Sequence, residues 1–327
     1  MQRRNPAWLR ECMAQGKHYH WIRKAPLGHN LLNVGIYAAT FALIAATIAA
    51  GGRFHPGLYI PVASLIFALS FFSLFILVVH EASHDMFVIA KDNARRRFWN
   101  RVFGWSVALP FGVHYIRHWE EGHTIHHLHP IEAEDPQAFN RITGPALWKM
   151  AAIFLIVPGY AFVHRIISKR SVTQTRTGPG VLIGFFAVWV PLMVLTGALI
   201  AWTVPVALLL GLQITLVLNQ FKGALEHGGE IAFEPNPLLR SRTSFFPFRN
   251  LLMPWNITLH FEHHLNFSVP WYDLVRYHRD IRGLVPAELQ SEIFNRDILA
   301  QLNGRKGRLP VIENVTTFEN ESAAARP

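Results

Sequence analysis

The sequence predicts an all-α integral membrane protein, with four transmembrane helices in two hairpins plus interfacial helices and a cytoplasmic helical cap that carries clustered histidines. Three observations predict it. Of 327 residues 51% are hydrophobic and only 16% charged, against roughly 25% charged in an ordinary soluble domain. The uncharged residues fall into two paired blocks. The basic residues fall almost wholly on one side of those blocks.

Residues 1–30 form a polar, basic amino-terminal segment, which separates the first apolar block from the chain start and so reads as preceding an anchor, not a cleavable signal. Residues 31–50 carry no charge over 20 positions and 57–79 none over 23. At about 1.5 Å per residue each can cross a hydrocarbon core. Gly51, Gly52, Pro56 and Gly57 break the chain between them, giving the first hairpin. The stretch 181–221 is uncharged for 41 residues and reads as two spans, 181–201 and 202–221, with a turn between Thr196 and Pro205. Residues 150–163 are apolar for only 14 positions and contain Pro158-Gly159, so this segment reads as interfacial or re-entrant. Residues 281–327 form a cytoplasmic carboxyl-terminal helix and tail, leaving 31–280 as the membrane domain.

With four spans, 30 of the 31 Lys and Arg residues lie on one face, and Arg53 alone lies opposite. That asymmetry places the amino terminus, the central polar region and the carboxyl terminus in the cytoplasm, as in a bacterial inner membrane. A fifth crossing at 150–163 would put Arg165, Lys169, Arg170 and Arg176 outside. The formal net charge of +10 is thereby accounted for by orientation and lipid contact, and nucleic acid is not an expected partner. The single cysteine, Cys12, excludes an internal disulfide, a thiolate zinc knuckle and an iron–sulfur cluster built by this chain alone. Any metal must be held by histidines and carboxylates.

Histidines abound and cluster. His80-Glu-Ala-Ser-His84 follows the second block, His123-Thr-Ile-His126-His127 lies in the central region, and His260-Phe-Glu-His263-His264 follows the second hairpin. Positions i, i+3 and i+4 share a helix face, so each box can present its imidazoles to one point. At this histidine content an H-x-x-H-H pentapeptide arises by chance about 0.05 times, and the chain has two. Neutral imidazole suits iron, copper and zinc. With His227, just after the fourth block, nine imidazoles exceed what one ion can coordinate and point to two metals. Glu81, Asp85, Glu120, Glu121, Asp135, Glu226 and Glu262 lie close by in sequence and can fix the tautomers of the ligands. His118 and His129 read as structural or supporting residues beside the second box, and His18, His20, His29, His55, His114, His164 and His278 as lying outside the site. Trp99, Trp105, Trp119, Trp255 and Trp271 read as interfacial anchors.

Boxes of the form H-x-x-x-H, H-x-x-H-H and H-x-x-H-H, with paired spans before the first and the last, resemble the membrane fatty acid desaturase and hydroxylase superfamily. The most specific stretch is NITLHFEHHLNFSVPWYDL over 256–274. The resemblance implies a ligand set of His80, His84, His123, His126, His127, His227, His260, His263 and His264 around two iron ions, with O2 as co-substrate. It also implies oxidation of an apolar lipid or acyl substrate: removal of two hydrogens gives a double bond, and insertion of oxygen gives an alcohol. Hydroxylase, ketolase and decarboxylating oxidase activities can be built on the same site. Electrons are expected from an external donor, a ferredoxin or small cytochrome with its reductase, and the basic run Arg95, Arg96, Arg97 and Arg101 can attract an acidic one. A rival reading from another class is an intramembrane zinc metalloprotease, since His80-Glu81-Ala-Ser-His84 also satisfies H-E-x-x-H.

Overall fold

The computed structural model describes residues 5–160, 178–306 and Leu309. The loop basic residues Arg165, Lys169, Arg170 and Arg176, residues 161–163 of the short apolar segment and the tail from 310 lie outside the described residues. The architecture is almost wholly helical. A short helix α1 (Ala7–Gly16) leads to α2 (Pro26–Ala49) and α3 (Pro56–Leu74). Then come α4 (Asn93–Ala108), α5 (Gly122–Leu128) and α6 (Gly144–Ile156). The second long pair is α7 (Pro179–Leu199) and α8 (Thr203–His227). The cap closes with α9 (His260–Leu265), α10 (Leu274–Ile281), α11 (Ala287–Ile293) and α12 (Ile298–Leu302).

Four helices, α2, α3, α7 and α8, are long and apolar enough to cross a membrane. Proline stands in the first turn of α2, α3 and α7, where its missing N–H costs nothing. The four are not equivalent. In its most apolar stretch α3 is 72% buried inside the protein and α2 only 11%, so α3 and α8 form the centre and α2 and α7 flank it. The central pair meets through small residues. A side chain at Gly211 would strike Phe67 Cβ at 2.6 Å, and Thr215 Oγ1 donates to the Ala68 carbonyl at 3.2 Å. Such close approach is the main source of helix association where no water drives it. Gly51, in the first hairpin turn, is pressed against Val204 at the start of α8, where an added Cβ would lie 2.2 Å from a methyl group.

The short helix α6 is buried through Leu147, Ala151 and Phe154. Its last turn meets the middle of α8, where Gln213 Nε2 donates to the Phe154 and Leu155 carbonyls at 3.2 and 2.7 Å. Gln213 thus satisfies carbonyls that a helix end leaves open. This described part of the segment expected at 150–163 to be interfacial or re-entrant runs beside α8.

Beyond Leu74, α3 continues as a π-helical turn, Phe75–His80, and one further α turn, Glu81–Ser83. A second π turn, Tyr115–Glu120, leads into α5. These wide turns re-aim the side chains that follow them, and both lead into histidine boxes. One small departure from an all-α fold is a two-residue parallel ladder, Thr243–Ser244 with Phe294–Asn295. The segment after α8 passes through the cap interior, where its backbone groups must be paired. The ladder, the Ser244 N–H to Thr258 carbonyl bond and the fully buried Arg242, which donates to the Gly228 and Glu292 carbonyls, pair them.

Candidate metal centre

The three boxes and His227 converge beneath the ends of α3 and α8. They do not surround one point. Two clusters form: His80, His84, His123, His127 and His263 in the first, and His126, His227, His260 and His264 in the second. Within each, the nearest ligand atoms lie within 4.8 Å of one another. Each H-x-x-H-H box divides between them. On α5 the i, i+4 pair His123 and His127 joins the first cluster and His126 the second; on α9 the i, i+4 pair His260 and His264 joins the second and His263 the first. Residues i and i+4 are separated by about 40° around a helix while i+3 lies on the far side of i, so one box can feed two adjacent sites. The clusters touch, with the His127 and His264 rings 4.3 Å apart between centroids.

Behind the cluster histidines stand groups that orient their rings. His126 Nδ1 lies 2.8 Å from Asp135 Oδ2 and His227 Nδ1 lies 2.7 Å from the Arg240 carbonyl, so each ring carries its proton on Nδ1 and bares Nε2. Glu226 Oε1 stands 3.2 Å from His260 Nδ1, and its other oxygen accepts from Lys222 Nζ at 2.6 Å. In the first cluster Glu81 Oε1 stands 3.2 Å from His80 Nδ1. The Gln137 amide nitrogen lies 2.8 Å from His123 Nδ1, and its carbonyl accepts from Asn140 Nδ2 at 3.4 Å.

Asp135 is wrapped by its own loop. It accepts the Ile131 and Gln137 N–H groups, both at 2.7 Å, and Ile131 takes a left-handed φ of 68° to make the turn, a costly conformation for a β-branched residue. Burial raises its pKa, but His126 and the two backbone N–H groups outweigh this and hold it below the ordinary range.

These arrangements fit metal ions. His227 and His260 aim their Nε2 atoms at each other across 2.8 Å; His227 holds its proton on Nδ1 toward the Arg240 carbonyl, while His260 Nδ1 and Glu226 Oε1 face each other at 3.2 Å without a hydrogen bond. With the proton of His260 on Nδ1 facing the Glu226 carboxylate, both Nε2 lone pairs are turned to one point and can bind a cation there. His80 Nε2, His84 Nε2, His126 Nε2 and both nitrogens of His264 are buried without a hydrogen-bond partner, and orphaned buried polar atoms on this scale call for a ligand. Burial, then neighbouring imidazoles, pushes the pKa of His84 down to about 3 and those of His123, His127, His260, His263 and His264 well below the ordinary range. The rings are thus neutral, the form that binds metal.

The acidic candidates separate by position. Glu81, Asp135 and Glu226 face cluster histidines. Asp85 lies against Arg96 at 3.7 Å, and Glu120 forms a two-pronged pair with Arg101 at 2.7 and 2.8 Å. Glu121 is exposed. Glu262 points to the back of α9, where it accepts from Thr243 and from His278 Nδ1. Gln137, the Arg240 carbonyl and His278 were not foreseen; only the nearness of Gln137 to Asp135 offered a signal, and a backbone carbonyl offers none. His29 bonds the Met86 carbonyl at 2.6 Å and the Tyr272 hydroxyl at 2.8 Å, away from the clusters.

The sequence model of the family described as Fatty acid desaturase matches residues 55–294. Comparison with curated proteins gives no match, and comparison with solved structures gives none.

Proposed function

The chain belongs to the fatty acid desaturase family, and from that premise we propose that it is an O2-dependent membrane oxidase that introduces a double bond into an apolar acyl or lipid chain at a pair of iron ions. The observation that carries this reading is the pair of adjoining clusters made wholly of histidine, with the boxes divided between them. Nine imidazoles, divided five and four, suit two first-row ions and leave coordination positions open at the second cluster.

In this proposal His80, His84, His123, His127 and His263 hold one ion and His126, His227, His260 and His264 the other. Two irons held so supply, with O2, the oxidising power to break an unactivated C–H bond. The protein's own part is to hold the ligands neutral and oriented and to exclude water. Asp135 and the Arg240 carbonyl fix two Nδ1 protons at the second cluster, and the Glu226 carboxylate stands 3.2 Å from a third nitrogen, His260 Nδ1. Trp119, whose ring lies 4.9 Å from His123 and 5.1 Å from Phe75, walls the first cluster on its apolar side. In this reading the site faces the cytoplasm at a bilayer surface and a separate protein delivers the electrons; the four long apolar helices support the membrane part of it.

Glu81 bears on the protease reading. Its carboxylate stands behind His80, on the ring's Nδ1 side, and five imidazoles crowd that cluster, whereas a hydrolytic zinc needs an open position and a base beside it. The test is product analysis: the protein is expressed with a reductase system in a host of known lipid composition, and the extracted acyl chains are compared by mass spectrometry with those from the His263→Ala strain. Chains lacking two hydrogens, absent from the variant strain, are the expected result. Chains gaining one oxygen would replace desaturation by hydroxylation, and unaltered lipids with O2 and reductant consumed would exclude a host lipid as substrate.

A further inference from the structure

Glu262 lies two residues after His260, on the opposite side of α9 from the clusters. Behind it the cap holds a groove with a cavity of about 740 Å³. The floor is apolar, formed by Phe245, Leu259, Val275 and Phe294, and the rim is basic. Two of its cations are engaged: Arg249 donates to Thr258 Oγ1 at 2.8 Å, and Lys306 lies 3.3 Å from Glu292. Asp297, the one carboxylate among the described lining residues, accepts the Ala300 N–H and caps α12. Arg279, Arg282 and Arg296 are exposed on the rim and form no ion pair among the described residues.

Three uncompensated guanidiniums converging on one concavity repel one another and create a strongly positive field. Guanidinium forks match phosphate oxygens two at a time. Phe245 and Phe294 flank His278, with ring centroids 5.2 and 5.0 Å from it, so the floor offers aromatic surface to a planar ring. The volume suits a small ligand, is more than a lone phosphate fills, and is far too small for a folded domain. We infer that this groove binds a phosphate ester that carries a planar ring, of the nucleoside diphosphate class, with the phosphates on Arg279, Arg282 and Arg296 and the ring on the phenylalanine floor. The site rests on no metal and on no assumption about the oxidation. It touches the third box all the same, because His278 in its wall holds Glu262 of α9 at 2.5 Å.

The experiment follows the fluorescence anisotropy of N-methylanthraniloyl-ADP with the full-length protein in detergent. Saturable binding is expected, weakened roughly tenfold or more in Arg279→Gln/Arg296→Gln. ADP should displace the probe at roughly tenfold lower concentration than pyrophosphate does, because only ADP uses the floor. Metal content and unfolding midpoint of the variant should match the parent, since neither arginine forms an ion pair among the described residues. Absence of saturable binding, or equal affinity in the double variant, overturns the site. Equal displacement by pyrophosphate, or displacement by phosphatidic acid micelles as effective as by ADP, overturns the ring and leaves a plain anion patch or a lipid headgroup contact.

Discussion

Behind the second histidine cluster stand two carboxylates, Asp135 and Glu226, and the Arg240 carbonyl; behind the first stand Glu81 and the neutral amide of Gln137. The first cluster has more ligands, the second has more charge to orient them. A histidine that donates its outer N–H to a carboxylate is both fixed in tautomer and a stronger base. The second site therefore depends on few, well-oriented rings, and the first on the number of its rings. Losing one supporting group should be felt more at the second.

The largest effect is expected from the ligands themselves. His126→Ala and His263→Ala, one from each cluster, should each reduce oxidation by more than the roughly 100-fold typical of supporting residues, with both proteins still inserted in the membrane fraction. Asp135→Asn comes next: it keeps the shape but removes the charge that receives three donors, so metal retention at the second cluster should weaken roughly 10–100-fold in chelator competition. Gln137→Leu, the counterpart at the first cluster, should weaken retention by less than roughly tenfold. An equal effect of the two substitutions would remove the distinction between the clusters.

Acid pH probes both clusters together. Burial holds His84, His123, His127, His260, His263 and His264 neutral in the folded chain, whereas the unfolded chain takes up protons near pH 6.5. The metal-free protein should thus keep its stability above that pH and lose it progressively below. An unfolding midpoint that stays constant from pH 8 to pH 5.5 would contradict the neutral-cluster account. The smallest change belongs to Arg101→Ala, which removes the pair with Glu120. With its side chain 42% exposed, that pair should contribute no more than about 1 kcal/mol, and metal content should not move.

Much of this was legible in the sequence, for physical reasons. Uncharged runs such as 31–50 and 57–79 answer to hydrocarbon thickness alone, and four long apolar helices appear where such runs occur. The box spacings answer to helix period, and the boxes do converge. Spacing could not show that His126 parts from His123 and His127, because which face of a short helix meets which neighbour is decided by the packing of α5 and α9. The supporting residues were half legible. Asp135 and Glu226 reach ligands, but Glu120 is held by Arg101 and Glu262 turns to His278, and nearness along the chain cannot say which way a side chain points. The Arg240 carbonyl carries no sequence signature at all, since every residue has one.

The most direct measurement is the metal content of the purified full-length protein beside His263→Ala and His264→Ala, with Mössbauer spectra of iron-57 samples. The account predicts about two irons per chain, with each variant losing a different component of the spectrum. One zinc per chain, removed by His84→Ala and untouched by either of the other two substitutions, would contradict it.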